Sequence, residues 1–322
     1  MAAASGAVVG DVGGTSARFA HLGPDGLPRE IRVLPTAAHE DLAAALAAYL
    51  AETGADGEGI AEAAVAVACP VTGDEVHLTN ASWRFSIAAT RARLGLRRLV
   101  VLNDFEALAL SLPDLAGADL ETIRMGVAEP DSPLAILGPG TGLGVSGLVP
   151  CGSGWRALRA EGGHRDLAAA AEREWRVVER LAARFGHASL ERAVSGPGLV
   201  NLYRALCELD GREAEELRPE DVPRRALAGN CPESSEAVRL FSAFLGAAAG
   251  DLVLTLGARG GLYLGGGVLE AMGAAFDRAA FRGRFLAKGR FEDYLRPVPV
   301  LWIRHPTPAL LGAARALANA SA

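Results

Sequence analysis

The chain has no closely spaced pair of cysteines. Cys69, Cys151, Cys207 and Cys231 are scattered, with no CxxC and no histidine at zinc-site spacing. Four reduced thiols are therefore expected, which sets aside a disulfide-framed secreted domain and a zinc centre. A basic balance is also missing. The net charge is −6, so neither a broad nucleic-acid surface nor an anionic-membrane surface is expected. No run reads as long and apolar enough to span a membrane. Met1-Ala2-Ala3-Ala4-Ser5 has no basic n-region and no cleavable apolar h-region. The expected location is the cytoplasm. No glycine-rich stretch ends in Gly-Lys-Ser/Thr, which excludes a Walker A loop.

What is present is a chain of 322 residues, 50% hydrophobic and 22% charged. That suits a globular α/β protein of two ordinary domains or one large unit. The central stretch is Leu137-Gly138-Pro139-Gly140-Thr141-Gly142-Leu143-Gly144-Val145, with a short apolar run on either side. Glycine allows positive φ and close approach of the backbone to a ligand. Successive N–H groups in such a turn can share one anion. A phosphate-binding hairpin and a plain β-turn both fit. The segment that follows looks like a strand, which speaks against a dinucleotide fingerprint.

Ala7-Val8-Val9-Gly10-Asp11-Val12-Gly13-Gly14-Thr15-Ser16 repeats the pattern. Two strand–glycine turn–strand units point to a clamp on a polyphosphate. Asp11 beside the first turn would repel a phosphate unless a cation lay between them, so Asp11 points to Mg²⁺, held partly through water.

Along the chain, a helix is expected over 39–53, a strand buried on both faces over 63–68, and a helix over 87–94 capped by Ser86. Leu99 to Leu102 reads as a strand ending at Asn103-Asp104, where the next helix starts. Ligands of open α/β sheets gather at such ends. A domain boundary is placed at Pro113-Asp114, dividing the chain into 1–113 plus 307–322 and 114–306. A helix over 167–185 is expected to bury Trp175, Val178, Leu181, Ala182 and Phe185. The segment 208–224 reads as a surface excursion. A second helix, over 237–256, carries Gly246 and Gly250, which suggests close packing. Gly265-Gly266-Gly267 follows another strand. The chain closes on a strand at 300–303 and a helix over 308–318.

Asp104 has the chemistry of a base for an attacking hydroxyl in phosphoryl transfer, and an N-cap fits it equally. Glu161 and His164 flank two glycines and suit the reading of vicinal hydroxyls; a solvated loop is the alternative. Glu191, before Ser195-Gly196-Pro197-Gly198, also reads as a surface salt-bridge residue. His187 and Trp175 read as structural, and His305 is left undecided.

Together these motifs resemble the bacterial glucokinases of the ATP-dependent hexokinase group, within the actin/hexokinase/Hsp70 ATPase superfamily. The resemblance is carried by residues 9–15, 68–74, Thr79-Asn80, Asn103-Asp104-Phe105, 138–144, 161–164, 195–203, 265–267, 288–291 and 310–312, in the family's order. It implies an α/β, two-domain actin-like ATPase (ribonuclease H-like) fold with an inter-domain cleft. D-glucose would be bound by Asn103, Asp104, Glu161, His164 and Glu191, with Gly142 beside the substrate and Asp104 as the base for the 6-hydroxyl. ATP and Mg²⁺ would be held by Asp11, Gly13, Gly14, Thr15, Gly140 and Thr141, with Gly265, Gly266 and Gly267 by the adenosine. A homodimer is the family's usual state. The chain departs from the family's pattern at Ser16, at Leu167-Ala168 and at Pro306 to Pro308. The zinc-binding cysteines of the related repressor and kinase family are absent. Other readings are a kinase for mannose or an amino sugar, a catalytically silent sugar sensor and an actin-like assembly protein. The sensor would carry a helix-turn-helix ahead of the first strand, and a strand beginning by Ala7 leaves it no room. The assembly protein would not need Asn103-Asp104 or Glu161 and His164.

Overall fold

The computed structural model describes residues 6–54, 59–79, 81–152 and 154–320. Asn80, quoted above with Thr79, lies outside them. The chain forms two compact units. One comprises Met1–Ala116, Trp155–Arg159 and His305–Ala322; the other comprises Gly117–Gly154 and Ala160–Arg304.

The first unit is built on β1 (Ala7–Val12), β2 (Ser16–Leu22), β3 (Pro28–Pro35), β4 (Glu62–Val67), the short strands β5 (Glu75–His77) and β6 (Arg84–Ser86), and β7 (Arg98–Asn103). The main sheet has the order β3-β2-β1-β4-β7. β1, β2 and β3 are antiparallel, while β1, β4 and β7 run parallel. After Glu62, the run Ala63-Ala64-Val65-Ala66-Val67 is apolar because both of its faces are covered. Ala63, Val65 and Val67 pack with Leu42, Leu46 and Tyr49 of the helix Leu42–Glu52. Ala64 packs on the opposite face with Leu310, Ala313 and Leu317 of the helix Pro308–Asn319. Ser86 caps the helix Ile87–Arg93 by accepting from Ala89 N at 3.0 Å. The β5-β6 hairpin had no sequence signal, since each strand is only three residues long.

The second sheet uses β8 (Leu120–Arg124), β9 (Leu134–Pro139), β10 (Leu143–Cys151), β11 (Gly154–Ala157), β12 (Gly261–Leu264) and β13 (Val300–Ile303) in the order β11-β10-β9-β12-β13-β8. β9, β12 and β13 are parallel, and β9 and β10 form the antiparallel hairpin around Gly140 to Gly142.

The core helix of this unit is Pro232–Leu256. By length and composition it could cross a membrane, which corrects the expectation that no such run exists, yet most of it is buried within the protein. It buries Phe241, Phe244, Leu245 and Val253 among core neighbours. Gly246 and Gly250 face the backbone of the helix Arg278–Leu286, where a Cβ at Gly250 would lie 2.6 Å from Phe285 O. The close packing expected of these two glycines is present. The helix Asp221–Ala228 occupies part of the stretch read as an excursion.

A second correction concerns Trp175, which is 58% exposed. The helix runs Glu172–Phe185 and buries Glu174, Val177 and Leu181. Leu181 is buried and Val178, Ala182 and Phe185 pack partly buried against the core as expected, so Trp175 alone departs, and an acid, Glu174, is buried beside it. Glu174 Oε1 meets Arg284 at 2.6 Å and Oε2 accepts from Ala170 N at 2.8 Å, which offsets the burial of its charge.

Candidate functional site

In the first unit the carboxyl ends of the three parallel strands line up. Val12 pairs with Val67, and Val67 pairs with Asn103. Asp11 precedes this line on β1 and Asp104 follows it on β7. Asn103, not Asp104, is the N-cap of the helix Asp104–Ser111. Its Oδ1 accepts from Phe105 N at 2.9 Å and from Glu106 N at 3.3 Å, and its Nδ2 donates to Cys69 O at 3.3 Å. Asp104 Oδ1 also accepts from Phe105 N, at 2.9 Å. The capping alternative is therefore taken by the neighbour, and Asp104 is not needed to end the helix.

Burial pushes Asp104 up to about 6; bonds from the Phe105 amide and Asn103 oppose this, and the charge of Asp11 adds to it. A carboxylate poised near neutral pH suits proton abstraction. Asp11 is itself raised by burial, against the pull of Arg18. Arg18 is its cross-strand partner, with Nη1 3.3 Å from Asp11 Oδ2. Sequence reasoning missed Arg18. The signal was there in the spacing, since a short turn after Asp11 puts the residue seven positions on directly opposite.

The first turn is held at both ends. Gly13 N donates to Ser16 O at 2.9 Å, Thr36 Oγ1 donates to Gly13 O at 3.2 Å, and Thr36 N donates to Thr15 O at 3.1 Å. Gly14 is partly exposed and Thr15 is exposed.

In the second unit the motifs converge on the β9-β10 turn. Gly140 N donates to Gly142 O at 2.8 Å, and Gly196 N donates to Gly140 O at 2.8 Å. Positive φ is not the reason for these glycines, because Gly13, Gly140 and Gly142 all keep negative or extended φ. At Gly142 the requirement is space, as a Cβ there would run into Glu191 Oε2. That oxygen accepts from Leu143 N at 2.9 Å. Thr141 is exposed at the tip.

Gly266 does have positive φ, +88°, and a Cβ on it would meet the Pro139 carbonyl. Gly265 N donates to Leu137 O at 2.9 Å. Gly265 to Gly267 thus abut the Gly138-Pro139 end of the turn. The loop bearing Glu161 and His164 lies against β10. Gly162 faces Val145, where a Cβ would come within 2.9 Å, and Gly163 faces the Leu143 carbonyl. His164 N donates to Glu161 O at 3.1 Å, and both side chains are exposed. Glu191 sits in a single turn, Leu190–Arg192. Leu190 N donates to Arg165 O at 2.8 Å, tying it to the same loop. His187, read as structural, bonds Asp166 Oδ1 through Nε2 at 2.7 Å. In His305, Nδ1 accepts from Thr307 N at 3.1 Å.

The first unit thus brings together Asp11, Gly13 to Thr15, Asn103 and Asp104. The second brings together Gly140 to Gly142, Glu161, His164, Glu191 and Gly265 to Gly267.

A family model described as Glucokinase matches residues 8–320. The glucokinase of Paramagnetospirillum magneticum is 50% identical, with 95% of this chain and 96% of that protein aligned. The glucokinase of Aromatoleum aromaticum is also 50% identical, covering 98% of this chain and 95% of its own. The crystal structure of a glucokinase from an Antarctic psychrotroph superposes with a TM-score of 0.88 at 34% identity, over 98% of this chain and 99% of that one. The fold is accordingly the two-domain actin-like sugar-kinase fold. Because the family model and these relatives span nearly the whole chain, it belongs to the glucokinase family.

Proposed function

We propose that the chain transfers the γ-phosphoryl group of ATP to the 6-hydroxyl of D-glucose, giving glucose 6-phosphate and ADP, the entry step of glycolysis. Membership in the glucokinase family supports the activity. The observation that carries the mechanism is Asp104, a half-buried carboxylate raised to about 6 at a strand's carboxyl end, with the capping duty taken by Asn103.

In this reading Asp104 takes the proton of the 6-hydroxyl as the oxygen attacks phosphorus. Asn103 orients Asp104 and contacts the sugar. Glu161, His164 and Glu191 bind the remaining hydroxyls, with Gly142 beside them. The N–H groups of Gly13, Gly14 and Thr15, and of Gly140 and Thr141, bind phosphate oxygens, and Gly265 to Gly267 border the adenosine. Phosphoryl transfer gains most from such positioning and charge stabilisation.

Mg²⁺ fits the donor set as a water-bridged ion. It keeps several waters and needs only one or two carboxylates beside substrate phosphates. Asp11 supplies one, and its burial-raised pKa marks a charge that a cation would stabilise. When bound, the ion would neutralise charge on the phosphates. Family resemblance further supports a cytoplasmic homodimer.

ADP release from Mg-ATP, followed over glucose, mannose, fructose, N-acetylglucosamine and no sugar, tests the reading. Release with glucose is expected. Release with another sugar alone would replace the substrate, and release without sugar would overturn the kinase assignment.

A further inference from the structure

Glu191 is placed to act on two things at once. Its Oε2 accepts from Leu143 N at 2.9 Å, directly after the Gly140–Gly142 turn. Among the described residues its Oε1 has no hydrogen-bond partner. Its own carbonyl accepts from Ser195 Oγ at 2.8 Å, and Ser195 caps the helix Gly196–Leu209, whose first N–H donates to Gly140 O. The turn is thus held at Gly140 by that helix and at Leu143 by the Glu191 carboxylate. Glycine at 142 leaves the space that the carboxylate fills.

We propose that Glu191 is a positioning residue that couples the sugar subsite to the phosphate turn. One carboxylate oxygen fixes the Leu143 amide, and with it the shape of the Gly140–Gly142 turn, while the other is left for a sugar hydroxyl. The proposal rests on the reading of this turn as a phosphate site and of Glu191 as a sugar ligand. A sugar hydroxyl on Oε1 restrains the carboxylate and so stiffens the turn, and a bound phosphate restrains it from the other side. Each ligand then tightens the other by the same factor, as linkage requires. The carboxylate is also what makes position 142 intolerant of a side chain. With Glu191 shortened to Ala, a methyl group at 142 meets empty space.

The test is a double-mutant cycle read by equilibrium binding of a non-hydrolysable ATP analogue and, separately, of glucose, each with and without the other. Gly142→Ala and Glu191→Ala should each weaken analogue binding about tenfold, the scale of a lost charge-assisted hydrogen bond. Gly142→Ala should cost less than about twofold once Glu191 is Ala. Glu191→Gln keeps an acceptor for Leu143 N, so it should hold analogue affinity within about twofold while weakening glucose. Both variants should lose the mutual tightening shown by the parent. Additive effects at 142 and 191, or analogue affinity unchanged by Glu191→Ala, would overturn the coupling. Those outcomes leave the kinase reading standing, because that reading is judged on the parent protein's turnover.

Discussion

Asp11 and Asp104 stand at the carboxyl ends of β1 and β7, with β4 between them, and the charge of Asp11 helps to raise the pKa of Asp104. Two acids at one sheet edge repel each other unless one is protonated or a cation intervenes. In this site one acid has an arginine opposite it and the other does not. Asp11 keeps Arg18 at 3.3 Å, while burial leaves Asp104 near neutrality. The pair is thereby divided into an acid with an arginine partner and an acid held near neutral pH without one.

Removing the Asp104 carboxylate should therefore remove the base and spare the fold. Asp104→Ala is expected to lower kcat by about 10²–10⁴, the usual range for a general base. The Asn103 cap stays intact, so circular dichroism should be unchanged. A variant with near-parental kcat would exclude Asp104 from the role.

The same residue sets a pH dependence. With a pKa of about 6, kcat/KM should fall roughly tenfold per pH unit below 6 and level off above it. A rate profile from pH 5 to 8 checks this. The inflection should vanish in Asp104→Ala.

Stability should move the opposite way. A carboxyl whose folded pKa lies above its unfolded value binds its proton more tightly when folded, so its charged form costs stability at higher pH. Two pKa units correspond to roughly 3 kcal/mol. Asp104→Asn should therefore raise the Tm at pH 8, and the gain should shrink between pH 6 and pH 4 as the parent protonates. Thermal melts at pH 8, 6 and 4 check the trend; a constant difference would contradict it.

Gly246 offers a test of packing against propensity. In a free helix, Gly→Ala stabilises by about 1 kcal/mol. Here a Cβ would enter the Phe281 carbonyl, so Gly246→Ala should instead destabilise by about 1–3 kcal/mol, the scale of overpacking. Urea unfolding gives the sign.

Gly266 combines a φ of +88° with the Pro139 carbonyl behind it. Gly266→Ala must strain the backbone and push the turn, at a cost of about 1–3 kcal/mol. Its effect should appear as a raised KM for ATP, with a smaller change in KM for glucose. Steady-state kinetics with each substrate varied in turn will separate the two.

The glycine hairpins and the Asn103-Asp104 junction were legible because they are local. A turn, a strand end and a helix start each lie within about ten residues. The apolar run at 63–68 was legible for the same reason, since burial on both faces leaves no polar position in it. Apart from Arg18, seven positions from Asp11, what escaped depends on partners distant in sequence. The contact between Glu191 and Leu143 joins residues 48 apart. On Glu172–Phe185, Trp175 is exposed while Glu174 is buried, because Arg284, 110 residues away, neutralises that acid. The helix Pro232–Leu256 resembles a membrane span in composition because its neighbours in the core are as apolar as lipid. The glycines of the two turns were expected to allow positive φ and close approach to a ligand. At Gly142 the reason is instead a carboxylate that no local pattern reveals.

Phosphorus NMR of the protein with Mg-ATP and D-glucose reads directly whether the chain makes glucose 6-phosphate. A glucose 6-phosphate signal growing in step with ADP is the predicted result. Inorganic phosphate appearing with ADP in its place, or ATP left unchanged, would contradict it.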